Sequence, residues 1–219
     1  MPFTSKQLWW PNRTETFPDG FAGNEAGENG ILRRMQESVD AAFDTTGTVA
    51  LGTYTNTSAE NTSAFTDIPP DFEMLKLIWM GRIEDAATGF ESVLMRINGD
   101  AGATSYYSSR YGIRQGTTPS FQSASNYEAN GQLSMGIVGE QASWGEITIP
   151  RYARAVSKDV SARGAARISS GTSASDKLST FGEGIWTNTA PVESIRIWPS
   201  GFNWATGMRM ILIAYPKVS

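Results

Sequence analysis

The chain contains no cysteine and no histidine. Those two absences remove Cys/His nucleophilic mechanisms, Ser-His-Asp triads, zinc sites of the usual kind and imidazole pH switching. Carboxylate, Ser/Lys and Tyr chemistry remain. Without cysteine there is also no disulfide framework, so the core and any subunit contacts must supply all the stability. Charge is scarce in runs of either sign: 18 basic and 22 acidic residues give a net charge of −4, and no basic track of the nucleic-acid-binding kind emerges. Arg151, Arg154, Lys158, Arg163 and Arg167 are the one basic enrichment, and Asp159 interrupts it. It reads as the solvated face of a strand and loop. No stretch approaches the apolar length of a membrane span, and MPFTSKQLWWPNRTE lacks the charged start and apolar middle of a signal peptide. The expectation is a soluble chain, not exported by the standard route.

What is present divides the chain into an arm with a helix, residues 1–45, and a body, residues 46–219. In LWWPNRTETFPDGFAGNEAGENG, prolines and glycines interrupt any regular element, while Trp9, Trp10, Phe17 and Phe21 demand burial. Such a segment either packs on its own body or docks on another subunit as an anchor. GENGILRRMQESVDAAFD follows, with Leu32, Met35, Val39 and Ala42 at three-four-three spacing and Ile31 and Phe43 widening the stripe. That pattern predicts the one helix. It lasts fewer than two heptads, so a helix packed on the body is the default, with a helix cluster around a symmetry axis as the sharper option.

From about Thr46 the period becomes two. TVALGTYT reads as a strand and NTSAENTSAF as a polar loop without packing residues. In MLKLIWMG, Leu75, Leu77 and Trp79 share one face, as do Val93, Met95 and Ile97 in SVLMRI. Further strands are predicted at SYYSSRYGI, QLSMGIV, WGEITIP, RYARAV, GAARISSG, GIWTNT, VESIRIW and MRMILIAYP. Roughly ten strands with almost no helix predict an all-β body of sandwich or jelly-roll type. The last strand is apolar on both faces, which places it inside a sheet.

Candidate sites are few. Asn98-Gly99-Asp100 lies between two strands, and Asn-Gly there is a strong hairpin signal because both residues tolerate positive φ. Asp100 with Asn98 is the alternative cation site, but an EF-hand spreads oxygen ligands over twelve residues and Ala101, Ala103 and Tyr106 fill places where oxygens are wanted. Glycoside hydrolysis needs two facing carboxylates. Glu84, Asp85, Glu91, Glu140, Glu146, Glu183 and Glu193 are available, yet nothing in their spacing selects a pair. Trp144, Trp186, Trp198 and Trp204, with Tyr106, Tyr107 and Tyr111, have the chemistry of a sugar-stacking face, whereas core packing is the preferred account of Trp144, Trp186 and Trp198. GEGIW and PSGFNWATG lie between strands and read as turns, not phosphate loops.

The order of FTDIPPDFEMLKLIWMGR, VLMRINGDAGATSYYS, GEITIPRYARAVSKDV and GIWTNTAPVESIRIWPSGFNWATGMRMILIAYP resembles a family of tailed-bacteriophage virion proteins. Members run through a Phe-x-x-Ile-Pro lead-in, a paired strand, an Asn-Gly-Asp corner followed by Tyr, an Ile-Pro-x-Tyr strand with Lys, and a Trp-x-x-x-x-x-Ile-x-x-Ile segment before a final apolar strand. The likeness covers about Phe65 to Tyr215. It departs at MRMILIAYP, where the family more often closes on Gly-Ser and Leu-Tyr-Gly, and residues 1–45 fall outside it.

The resemblance implies a β-sandwich on the virion, assembled in the host cytoplasm, without catalytic activity or cofactor. Together with the residue-level reading it gives an expectation: a homo-oligomer, expected as a trimer, held on a major capsid or tail protein through Trp9, Trp10, Phe17, Phe21, Leu32, Met35 and Val39. Capsid decoration is favoured over a tail-fibre knob because no repetitive shaft sequence is present. The alternatives are a knob that binds host-surface glycan through Tyr106, Tyr107 and Tyr111, and a glycan-degrading enzyme.

Overall fold

A computed structural model of the chain describes residues 47–59, 61–84, 90–115, 120–127, 131–139, 141, 143–167 and 177–216. The predicted arm and helix lie outside them. The described residues form twelve strands: β1 Val49–Thr55, β2 Ser63–Phe65, β3 Met74–Gly81, β4 Phe90–Ile97, β5 Tyr106–Gln115, β6 Ser120–Tyr127, β7 Leu133–Gly139, β8 Ser143–Pro150, β9 Lys158–Arg167, β10 Lys177–Trp186, β11 Ile195–Pro199 and β12 Arg209–Tyr215. They build an eight-stranded sheet in the order β1-β12-β3-β8-β9-β10-β5-β6 and a four-stranded sheet in the order β2-β11-β4-β7. Every pairing is antiparallel. The body is therefore an all-β sandwich, as the period-two pattern predicts.

Alternation places the core. Leu75, Leu77 and Trp79 of β3, Met95 and Ile97 of β4, Ile147 and Ile149 of β8, and Met210 and Leu212 of β12 turn their side chains between the sheets. Trp79 packs on Trp204 with ring centroids 6.1 Å apart and planes tilted by 48°. Its cross-strand partner is Gly145, where a Cβ would fall 2.2 Å from Trp79 Cζ2. The glycine is the space the indole occupies.

On the other half of the large sheet, the inward positions of β9 and β10 hold Ala162, Gly164, Gly182 and Gly184. A Cβ on Gly184 would lie 2.7 Å from Leu133 Cδ2, so small residues there let β7 approach the large sheet. Arg110 reaches from β5 across the gap and donates to Ser92 Oγ at 2.6 Å and Ser134 Oγ at 3.0 Å.

Four local expectations are corrected. GEGIW is not a turn but the end of β10, paired with both β5 and β9. NTSAENTSAF is not wholly loop: Ser63–Phe65 pairs with β11, and Ser63 and Phe65 are buried. RYARAV is not a strand, because Arg151 adopts a φ of 52° and the chain bends, with Arg154 N–H donating to Arg151 O and Val156 N–H to Arg154 O. Asn98-Gly99 is a turn but does not close a hairpin, since β4 belongs to the small sheet and β5 to the large one. The final strand β12 lies between β1 and β3, as its two apolar faces require.

Candidate functional site

The crossing from β4 to β5 is a corner held by many polar bonds. Asn98 and Gly99 have φ of 51° and 67°, and Asp100 N–H closes the turn on Ile97 O at 2.9 Å. Two consecutive left-handed residues suit Asn-Gly and few other pairs. The Asn98 side chain clamps the chain between β10 and β11: its Oδ1 accepts from Glu193 N–H at 2.8 Å and Ser194 N–H at 2.9 Å, and its Nδ2 donates to Pro191 O at 2.7 Å.

Asp100 anchors the same corner from the other side. Its Oδ1 accepts from Gly102 N–H at 2.9 Å and Ser105 Oγ at 3.0 Å, and its Oδ2 accepts from Trp186 Nε1 at 2.9 Å. Desolvation pushes its pKa up, but hydrogen bonds from Trp186, Gly102, Ser105 and Asn188 outweigh that and hold the carboxyl below its ordinary range. Both oxygens are thus engaged by protein donors. Among the described residues no cluster of three or more carboxylate-type ligands forms a metal site.

Behind Asp100, the fully buried Trp186 presents its ring to Lys158 Nζ at 5.7 Å from the centroid. Lys158 is itself fully buried. Its ammonium donates to Arg154 O at 2.8 Å, to Val156 O and to Thr189 O at 3.4 Å. Backbone carbonyls and an indole face replace the carboxylate that a buried cation usually requires. Burial still pushes its pKa down. Tyr152, also buried, donates its hydroxyl to Pro69 O and accepts Val192 N–H on its carbonyl at 3.0 Å. Together these contacts fasten four loops at one end of the sandwich.

The residues singled out from the sequence separate. Tyr106 is turned inward, fully buried, its hydroxyl accepting from Ile97 N–H at 3.0 Å and donating to Ile97 O at 3.1 Å. It therefore does not present its ring to a glycan; burial, offset in part by the Ile97 bond, pushes its phenol up to about 12. Tyr107 points outward, and the side chain of Tyr111 lies outside the described residues. The anchoring residues Trp9, Trp10, Phe17, Phe21, Leu32, Met35 and Val39 also lie outside them. Trp186 and Trp204 are core, as expected for Trp186, but Trp144 is exposed because it alternates with the buried Ser143 and Gly145.

The basic segment does not form one solvated face. Arg151 pairs with Asp159 at 2.9 Å, Arg154 with Glu73 at 2.8 Å and Arg163 with Glu146 at 2.5 Å, whereas Lys158 is internal. Glu146 also pairs with Lys76 at 3.4 Å.

Two surface features escaped the sequence reading. On the outer face of the eight-stranded sheet, Tyr107, Trp144, Phe181 and Ile185 are 40%, 44%, 52% and 41% exposed. Register puts Tyr107 directly opposite Ile185, with Phe181 four residues along β10 and opposite Arg163, while Trp144 lies opposite Ala165 toward the other end of the same face. The signal was the alternation Phe181-x-Glu183-x-Ile185, in which apolar and acidic side chains share a face. On the outer face of the small sheet, Arg96 lies directly opposite Arg196, and both guanidinium groups approach Trp198, at 5.4 and 5.6 Å from its centroid. No family model, curated protein or solved structure matches the chain.

Proposed function

We propose that the chain is a structural protein of a tailed-bacteriophage virion: a homo-oligomeric accessory protein of the capsid-decoration type, attached through residues 1–45. The order of motifs between Phe65 and Tyr215 supports the virion assignment. The observation that carries the assembly reading is the outer face of the eight-stranded sheet. Four large apolar side chains, each at least 40% exposed, are spread over one face of that sheet, with Tyr107 and Ile185 in direct register, and such apolar exposure suits a protein contact. The same face carries Lys76, Arg163 and Arg209 against Glu146, Asp159 and Glu183. Its balanced signs allow a second copy to pack without like-charge repulsion.

In this reading the face joins copies, expected as a trimer, and the aromatic arm with Trp9, Trp10, Phe17 and Phe21 provides anchors to the capsid. Two variants test the parts separately. Phe181→Glu with Trp144→Glu lowers the mass seen by light scattering while the far-ultraviolet spectrum stays that of a β protein. Deleting residues 1–30 abolishes incorporation into particles while leaving a folded body. A deleted chain that still loads onto particles refutes the anchor.

The outward ring of Tyr107 favours one second reading, a tail-fibre or tail-tip knob that binds host-surface carbohydrate. Glycan-array binding that disappears with Tyr107→Ala supports it.

A further inference from the structure

The outer face of the four-stranded sheet holds a second concentration of chemistry, built by strand register. In β11 the residues Ile195, Ile197 and Pro199 face the core, so Arg196 and Trp198 face outward. Pairing with β4 sets Arg196 opposite Arg96. Like charges directly opposite one another in a sheet are unfavourable, and contact with the Trp198 ring offsets that only in part. Arg96 also donates from Nε to Gly131 O at 2.9 Å. Arg196 has a weaker tie, one hydrogen bond to Thr62 Oγ1 at 3.5 Å, and makes no ion pair among the described residues.

Beside this pair lies a cleft of about 340 Å³ lined by Asn61, Thr62, Arg196, Trp198, Ser200 and Asn203, among others. Behind its Ser200–Gly201 end, outside the lining itself, stands a carboxylate. Ser200 donates its hydroxyl to Glu91, and Gly201 packs so closely that a Cβ there would lie 3.2 Å from both Glu91 carboxylate oxygens. Arg196 and Ser200 are four residues apart along β11 and the residue that follows it, about 13 Å. The cleft thus runs from a guanidinium, past an indole, to amides and hydroxyls.

We infer that this cleft binds an acidic saccharide. The guanidinium takes the sugar carboxylate in a two-bond fork, the Trp198 ring stacks on the apolar face of a sugar ring, and Asn61, Ser200 and Asn203 take the hydroxyls. A neutral sugar leaves the Arg196 charge without its counterpart. A nucleic-acid strand finds only Arg96 and Arg196 on this face of a chain whose net charge is already −4, and among the described residues no further basic track leads away from the cleft. The inference rests on the cleft and is independent of the virion reading and of Tyr107.

The experiment is titration calorimetry of the full chain with oligoglucuronate and with its methyl-esterified, neutral counterpart, backed by an array of carboxylated and sulfated oligosaccharides. The acidic oligosaccharide is expected to bind and the neutral one to bind far more weakly. Arg196→Gln weakens the acidic ligand by about 10- to 100-fold, the loss of one charge-assisted fork, and Arg196→Lys does not restore it. Trp198→Ala removes binding of both. Arg196→Gln keeps or raises the melting temperature, because it relieves the Arg–Arg pair, so lost binding is not lost folding.

Equal binding of acidic and neutral ligands overturns the inference, as does competition by acetate or sulfate at the same strength. A silent array or a melting temperature that falls sharply in Arg196→Gln also overturns it. None of these outcomes bears on incorporation into particles.

Discussion

Replacing Asp100 with alanine is expected to destabilise the body by about 3 kcal/mol, most of it from a residue that is not mutated. The Trp186 indole is fully buried and donates to Asp100 Oδ2. Deleting the acceptor leaves a buried N–H with nothing to bond, at a cost of about 1–3 kcal/mol. Gly102 N–H and the Ser105 hydroxyl lose their acceptor too, but both sit near solvent and turn to water, for about 0.5 kcal/mol each. For a chain of this length the total corresponds to a fall in melting temperature of roughly 6–12 °C.

Asp100→Asn keeps one oxygen, which cannot serve both Trp186 and the Gly102–Ser105 pair, so it loses part of the same amount. The pH dependence separates charge from shape. The Asp100 carboxyl is held below its ordinary value of 3.8, so its contribution is complete above that value and is lost as pH falls through the lower folded one. The gap between wild type and Asp100→Asn therefore narrows on acidification below about pH 4. Urea unfolding followed by tryptophan fluorescence reads both effects. An Asp100→Ala chain within about 0.5 kcal/mol of wild type, the range of a neutral surface change, refutes the account of this corner.

Two glycine substitutions separate lost space from backbone strain. Gly145→Ala drives a methyl into the buried Trp79 ring, 2.2 Å from Cζ2, and costs about 3 kcal/mol or more by calorimetry. Gly99→Ala meets nothing within 4 Å and is penalised only for its φ of 67°, about 1–2 kcal/mol; reversal of that order contradicts the packing described. Lys158→Met leaves the carbonyls of Val156 and Thr189 without this donor, while Arg154 O keeps Val156 N–H, and lowers stability by about 2–4 kcal/mol at neutral pH. Because burial lowers the Lys158 pKa from 10.5, the folded chain releases this proton before the unfolded one does. This group therefore adds stability as pH rises from its folded value toward 10.5. Melting curves followed as pH rises toward 10.5 show that rise in wild type relative to Lys158→Met, and parallel curves contradict it.

The strands that the sequence disclosed are those buried by alternation. Leu75, Leu77 and Trp79, and again Val93, Met95 and Ile97, alternate cleanly because one face of each strand meets the other sheet. The strands it hid outright are β2 and β6, both sheet edges, and of the central β9 and β10 it caught only the last residues, since their inward positions hold Ala162, Gly164, Gly182 and Gly184. An edge strand has one backbone partner and tolerates polar side chains, so SAF and SFQSASNY carry little of the expected signal. RYARAV misled because its apolar residues suit a strand, while a positive φ at Arg151 is set by the turn after Pro150.

At the Asn98 corner, the turn was legible from two residues, but its task of carrying the chain from one sheet to the other depends on pairings far along the sequence. Nor could the sequence tell Lys158 from Arg163. Five positions apart on one strand, they point to opposite faces, and only the enclosing carbonyls explain why the lysine can be inside. Trp144 and Trp186 were legible as strand residues, whereas the face each occupies follows from its neighbours Gly145 and Ile185.

The copy number of the chain in purified particles, measured by quantitative mass spectrometry against the major capsid protein, tests the proposed function most directly. Capsid decoration predicts hundreds of copies per particle, in fixed ratio to the capsid protein. A handful of copies moves the chain to the tail, and its absence from purified virions contradicts the account.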